Sequence, residues 1–228
     1  MYDILNGIKY GISYFSILPI KADKFEANNS FYKGVLFSLP LVGLLLSLII
    51  VSLFIVLPMP NFYKAILVSI LYLFLYGFIH LEAVADTIDG YFASLGNKDV
   101  HSIMKEPQIG AIGAIGTFCF ILLKILALSY LFFQEQFFMI IFILIASRSS
   151  IFFAIELEYH KDSTFINSLK NSIKISFIFR LLFLPFNILT KLILKKVKKA
   201  IGFLNGDTLG FNIELQEIIL LNIGVILC

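Results

Sequence analysis

The chain has 228 residues, 59% of them hydrophobic and 14% charged, with a mean hydropathy of +0.94. Soluble domains run at roughly 45–50% apolar and about 25% charged, so this chain has too little polar surface to cover itself in water. The formal net charge of +3, with Arg148 and Arg180 as the only arginines, excludes the basic face of a nucleic-acid binder.

A spanning helix takes roughly 20 residues. The expectation is therefore an all-α, polytopic integral membrane bundle of about six spans, forming one domain over 1–228 with the lipid bilayer as its solvent. The N-terminus lacks the ordered regions of a signal peptide. Ile4, Ile8, Ile12 and Phe15 recur at helical spacing, which predicts an interfacial amphipathic helix within residues 1–20.

Val35 to Leu57 contains no charged residue and predicts the first span. A second run, Ala65 to about Ala85, follows a turn with Pro58 and Pro60 and ends in a cluster of acids. Ala111 to Phe133 and Phe137 to Leu157 are separated by Gln134, Glu135 and Gln136, which predicts a helical hairpin carrying the cations Lys124 and Arg148. Ile173 to Leu194 is interrupted by Arg180 and Pro185, and the terminal run Ile213 to Leu227 contains Glu214 and Glu217. Cys119, in an apolar run, reads as core packing, and Cys228 has no assigned role.

Lys9, Lys21, Lys24 and Lys33 place the N-terminus inside, and counting spans puts Lys98, Lys105, Lys161 and Lys170 on the same side. Lys195, Lys196, Lys198 and Lys199 then fall outside if Ile173 to Leu194 crosses. Either that segment is re-entrant or the count of spans is wrong.

Glu82, Asp86 and Asp89 stand at i, i+4 and i+7, on one face of a helix. Carboxylates at a span's end repel one another and resist desolvation, so they need water, a cation such as Lys98 or Lys105, or a metal. Oxygen-only ligands favour Mg²⁺ or Mn²⁺, whose shells are completed by waters and phosphates. His80 falls on roughly the opposite face. Gly110 and Gly113 open a span beside Lys105, where backbone N–H groups would meet an anion or where helices would pack closely.

Arg148 lies within an apolar span and needs a partner: Glu156, an acid on another helix, or a phosphate in a wet cavity. Asp207, between Gly206 and Gly210, reads either as a helix N-cap or as a further ligand beside Asp86 and Asp89. The second role requires both segments on one side of the membrane.

These motifs resemble the cobalamin synthase family of polytopic membrane enzymes, the adenosylcobinamide-GDP ribazoletransferases. His80–Gly90 resembles the family's H-x-D-G-x-x-D-x-x-D-G, Ile103–Gly113 its I-M-K-D-x-x-x-G-x-x-G, and Asn205–Phe211 its T-G-D-x-x-G-A. Weaker likenesses are Phe15–Pro19, Leu39–Gly43 and Ser147–Arg148; departures are Glu82, Ala83, Glu106, Asn205 and Phe211. The resemblance implies Mg²⁺-dependent transfer of adenosylcobinamide phosphate from adenosylcobinamide-GDP to α-ribazole or its 5′-phosphate, with GMP leaving. It implies a site facing the cytoplasm in a bacterial-type inner membrane, in a chain that also allows a homo-oligomer.

In that reading Glu82, Asp86 and Asp89 hold the metal, and Lys105, Gly110, Gly113, Arg148 and Gly206 bind substrate. His80 or Asp207 takes the proton of the attacking hydroxyl. Competing readings are a CDP-alcohol phosphotransferase, a prenyltransferase and a cation transporter. After Asp89-Gly90 the chain reads Tyr91-Phe92-Ala93-Ser94, without the first family's Ala-Arg pair. It also lacks the second Asp cluster that an inverted repeat would supply.

Overall fold

The computed structural model describes residues 1–23, 27–104, 108–160, 162–173 and 183–228. Among them are eleven helices and no strand: α1 (Tyr2–Tyr14), α2 (Asn29–Val56), α3 (Asn61–Leu75), α4 (Ile79–Leu95), α5 (Val100–Ile103), α6 (Ala111–Phe133), α7 (Phe137–Ser149), α8 (Ile151–Ala154), α9 (Thr164–Ser172), α10 (Leu184–Ile201) and α11 (Gly206–Leu227). Four stretches are long and apolar enough to cross a membrane: α2, α6, Phe137–Ala154 and α11. Asn61–Leu75 with Ile79–Leu95 makes a fifth if the pair is one broken span. The fold is thus an all-α polytopic membrane bundle, with four or five candidate spans among the described residues where about six were expected.

The differences from the sequence reading have local causes. The apolar run from Ala65 to Ala85 breaks at Gly77 and Phe78, whose φ values of 67° and 57° take the backbone out of the helical region. Pro185 stands in the first turn of α10, where its missing N–H costs nothing. That helix carries Lys191, Lys195, Lys196, Lys198 and Lys199, too many charges for a span. The part of Ile173 to Leu194 between 174 and 182 lies outside the described residues, as do Lys24, Lys105, Glu106, Lys161 and Arg180. Cys119 is exposed on apolar α6, so the core-packing reading does not hold.

The chain divides into two compact units. The first comprises Met1–Phe78, Leu122–Ser149 and Glu217–Cys228. Here Asn28 starts α2 by accepting the Phe31 N–H at 2.9 Å. α1 packs on α2 through Asn6, Gly7, Gly11 and Ile12, and a Cβ on Gly7 would collide with the Phe31 carbonyl. Its packed face is therefore the small-residue stripe, with Ile4 and Ile8 half-buried beside it.

The second unit comprises Ile79–Ile121 and Ser150–Gln216. It contains α4, α5, the start of α6, α8 to α10 and the first half of α11. The acid motif, the paired glycines and Asp207 all lie in it.

Candidate active site

On α4 the pattern of small and apolar residues sorts the polar groups. Leu81, Ala83, Val84 and Ala85 are buried, Glu82 is exposed, and Asp86 and Asp89 are half-buried. The three acids therefore share the helix's accessible side, as their spacing predicts. The carboxylates of Asp207, Glu82 and Asp89 all act electrostatically on Asp86, and Glu82 acts on Asp207. Four acids from two helices thus sense one another's charge, although no three of them bring carboxylate oxygens within 4.8 Å of one another. Among the described residues no Lys or Arg forms an ion pair with any of them.

Asp89 has a second task. Its Oδ2 accepts the Gly110 N–H at 2.7 Å and its Oδ1 the Gly113 N–H at 2.8 Å. The carboxylate sits on the positive end of α6 and satisfies donors the helix cannot use itself. A Cβ on Gly110 would stand 2.6 Å from Asp89 Oδ1, and one on Gly113 would strike Oδ2. Both glycines are required by this close approach. Of the two readings of these glycines, an anion at the helix start and close packing, the structure shows both at once, with the Asp89 side chain as the anion.

Asp207 is not the N-cap of α11; Asn205 is. Asn205 Oδ1 accepts the Thr208 N–H at 3.0 Å, and Thr208 Oγ1 accepts the Asn205 N–H at 2.9 Å, a reciprocal cap. Asn205 Nδ2 also donates to Asp207 Oδ2 at 2.7 Å, fixing that carboxylate. Gly206 is exposed, and a Cβ there would meet nothing within 4 Å. Space therefore lies open over the first residue of α11.

Lys198 contacts Glu158 at 3.6 Å, so the lysine-rich end of α10 reaches the segment that follows α8.

His80 is 5% exposed, and its Nδ1 lies 3.5 Å from Oε1 of fully buried Glu214. Glu214 is an acid within an apolar run, which by itself signals a buried partner on another helix. Ala83 Cβ would lie 2.7 Å from a Cβ on Gly210, so its methyl is taken up where α4 meets α11. Phe211 lines an apolar cavity of about 200 Å³ with Ile88, Tyr91, Phe120 and Val197.

In the first unit Arg148 has found an acid on another helix, Glu217. Its NH1 donates to Glu217 Oε2 at 2.7 Å and to the Leu144 carbonyl at 3.1 Å, and NH2 donates to Tyr72 OH at 2.7 Å. Lys124 Nζ reaches Glu217 Oε1 at 2.9 Å, and Ser147 Oγ donates to Oε2 at 3.1 Å. Arg148 and Lys124 are each 1% exposed. Lys105, expected near phosphate, lies outside the described residues.

The cobalamin-5-phosphate synthase family model matches residues 7–225. The adenosylcobinamide-GDP ribazoletransferase of Alkaliphilus oremlandii is 28% identical over 226 residues, 90% of this chain and 91% of the relative. Its namesake from Acinetobacter baumannii is 29% identical over 240 residues, 92% of this chain and 93% of the relative. The Treponema denticola protein of the same name is 34% identical over 124 residues, 53% of this chain and 46% of the relative. No solved structure gives a significant match. The family match runs from α1 to the last turn of α11, and the chain belongs to the cobalamin-5-phosphate synthase family of membrane enzymes.

Proposed function

We propose that the protein transfers the adenosylcobinamide phosphate group from adenosylcobinamide-GDP to α-ribazole or its 5′-phosphate, releasing GMP. The observation that carries this reading is the cluster of Glu82, Asp86, Asp89 and Asp207, within a chain whose full-length relatives bear that activity in their names. The donor set is all oxygen and its charges repel one another, which suits Mg²⁺, whose binding would draw the carboxylates closer together than they stand here.

Glu82, Asp86 and Asp207 would hold the ion. Asp89 keeps lone pairs beyond its two N–H bonds and fastens the Gly110–Gly113 segment to the cluster. When bound, Mg²⁺ supplies Lewis-acid stabilisation of charge growing on a pyrophosphate. The open N-terminus of α11 at Gly206 offers backbone N–H groups to phosphate oxygens. Glu214 orients His80 from the Nδ1 side, and the imidazole takes the proton of the ribazole hydroxyl. The acids face the cytoplasm of a bacterial-type inner membrane, on the side that collects the lysines of the short connections.

The test is to incubate the purified full-length protein with Mg²⁺, adenosylcobinamide-GDP and α-ribazole and to follow GMP and the corrinoid product by chromatography. Equal amounts of both, lost on chelation and restored by Mg²⁺, are expected. No product from folded protein contradicts the transfer; undiminished product in excess chelator contradicts the metal.

A further inference from the structure

Away from the acid cluster, three other groups of the second unit converge. They are His101 in the last turn of α5, and His160 and Asp162 ahead of α9. His101 Nε2 lies 3.5 Å from Asp162 Oδ2, and His160 Nδ1 lies 3.6 Å from the same oxygen. One ligand atom from each lies within 4.8 Å of the others. The imidazoles stand 4.6 Å apart between centroids, and the Phe203 ring meets both edge-on at 5.3 and 5.6 Å.

From these positions we infer a second, chemically distinct metal site, for a borderline divalent ion of the Zn²⁺ class, held by His101, His160 and Asp162. Ligand atoms about 2.0–2.2 Å from a tetrahedral ion stand about 3.4 Å from one another. The two nitrogen-to-oxygen separations already have that size, longer than an ordinary hydrogen bond. Two imidazoles and one carboxylate favour Zn²⁺ or Co²⁺ over Mg²⁺, whereas the acid cluster has the opposite preference.

The backbone around the site is anchored. The His160 N–H donates to the Leu204 carbonyl at 2.7 Å, and the Ser163 N–H to the His160 carbonyl at 3.0 Å. The Asp162 N–H reaches His160 Nδ1 at 3.4 Å, a long contact that an ion would replace. His101 and His160 are each about one-third exposed and Asp162 more so, which leaves a coordination position for water and a path for exchange. Phe203 and Leu204 immediately precede the Asn205 cap. The ion would therefore tie the end of α5 and the His160 backbone to the turn that presents Asp207.

The test uses full-length protein in detergent, stripped with chelator and then dialysed against Co²⁺ or Zn²⁺ in a large excess of Mg²⁺. Bound metal is counted by elemental analysis, and Co²⁺ is read from its visible absorption. The wild type retains one equivalent with a nitrogen-ligated spectrum; His101→Gln/His160→Gln loses it, and Asp86→Asn keeps it. Raised thermal stability with Zn²⁺ in wild type but not in the double variant is a second readout. Failure of the wild type to retain Co²⁺ against Mg²⁺, or equal retention by the double variant, overturns the inference. Neither result depends on transferase activity.

Discussion

Replacing Glu217 by Gln tests how the first unit tolerates charge within an apolar bundle. Glu217 is fully buried between Lys124 at 2.9 Å and Arg148 at 2.7 Å. Together the three carry a formal charge of +1; Glu217→Gln removes the carboxylate that both buried cations contact, whereas Arg148→Met leaves the Lys124–Glu217 pair in place. Removing one partner of a buried pair costs about 3–5 kcal/mol. Arg148→Met instead loses the bonds to Tyr72 and Leu144, about 1–3 kcal/mol. Reversible unfolding in mixed micelles should rank Glu217→Gln as the less stable variant. Folded Arg148→Met should keep the wild-type KM for adenosylcobinamide-GDP, since its guanidinium is occupied within the protein. A Glu217→Gln loss under about 1 kcal/mol, or a larger loss for Arg148→Met, would refute the charge argument. A raised KM for Arg148→Met would return Arg148 to substrate binding.

Other perturbations test the acid cluster's scaffold. Gly113→Ala places a methyl against Asp89 Oδ2 and 2.8 Å from the Ala85 carbonyl; it should cost about 1–3 kcal/mol and lower turnover, measured by micelle unfolding and GMP release. Gly206→Ala meets open space and should stay within about 0.5 kcal/mol of wild type. Asn205→Ala removes the reciprocal cap and frees Asp207, losing about 0.5–2 kcal/mol, with weakened Mg²⁺ dependence of GMP release as the functional readout.

The sequence makes local periodicity legible and leaves distant partners hidden. Glu82, Asp86 and Asp89 share one face because spacing alone places them there. The glycines of 110 and 113 suit either an anion at a helix start or close helix packing, and that Asp89, 21 and 24 residues earlier, meets both N–H groups depends on how α4 lies beside α6. The cost of a buried guanidinium demands a partner for Arg148, while that Glu217 supplies it depends on the packing of α11. Gly77 marked the break that hydropathy averaged away. His101 and His160 gave no signal, since their meeting depends on two turns separated by 59 positions in the numbering. Pro185 was read as an interruption because a proline inside a helix and one at its start look alike without the boundary.

In the proposed function Asp86 on α4 and Asp207 on α11 serve one metal-dependent site. The most direct measurement is the rate of GMP release across a Mg²⁺ titration for wild type, Asp86→Asn, Asp207→Asn and the double variant, each verified as folded in detergent. Groups that act as a unit give non-additive losses. The account predicts that each single variant loses nearly all activity and that the double variant is hardly worse than either. Wild-type turnover and Mg²⁺ dependence in either single variant, or two independent losses that multiply in the double variant, would contradict it.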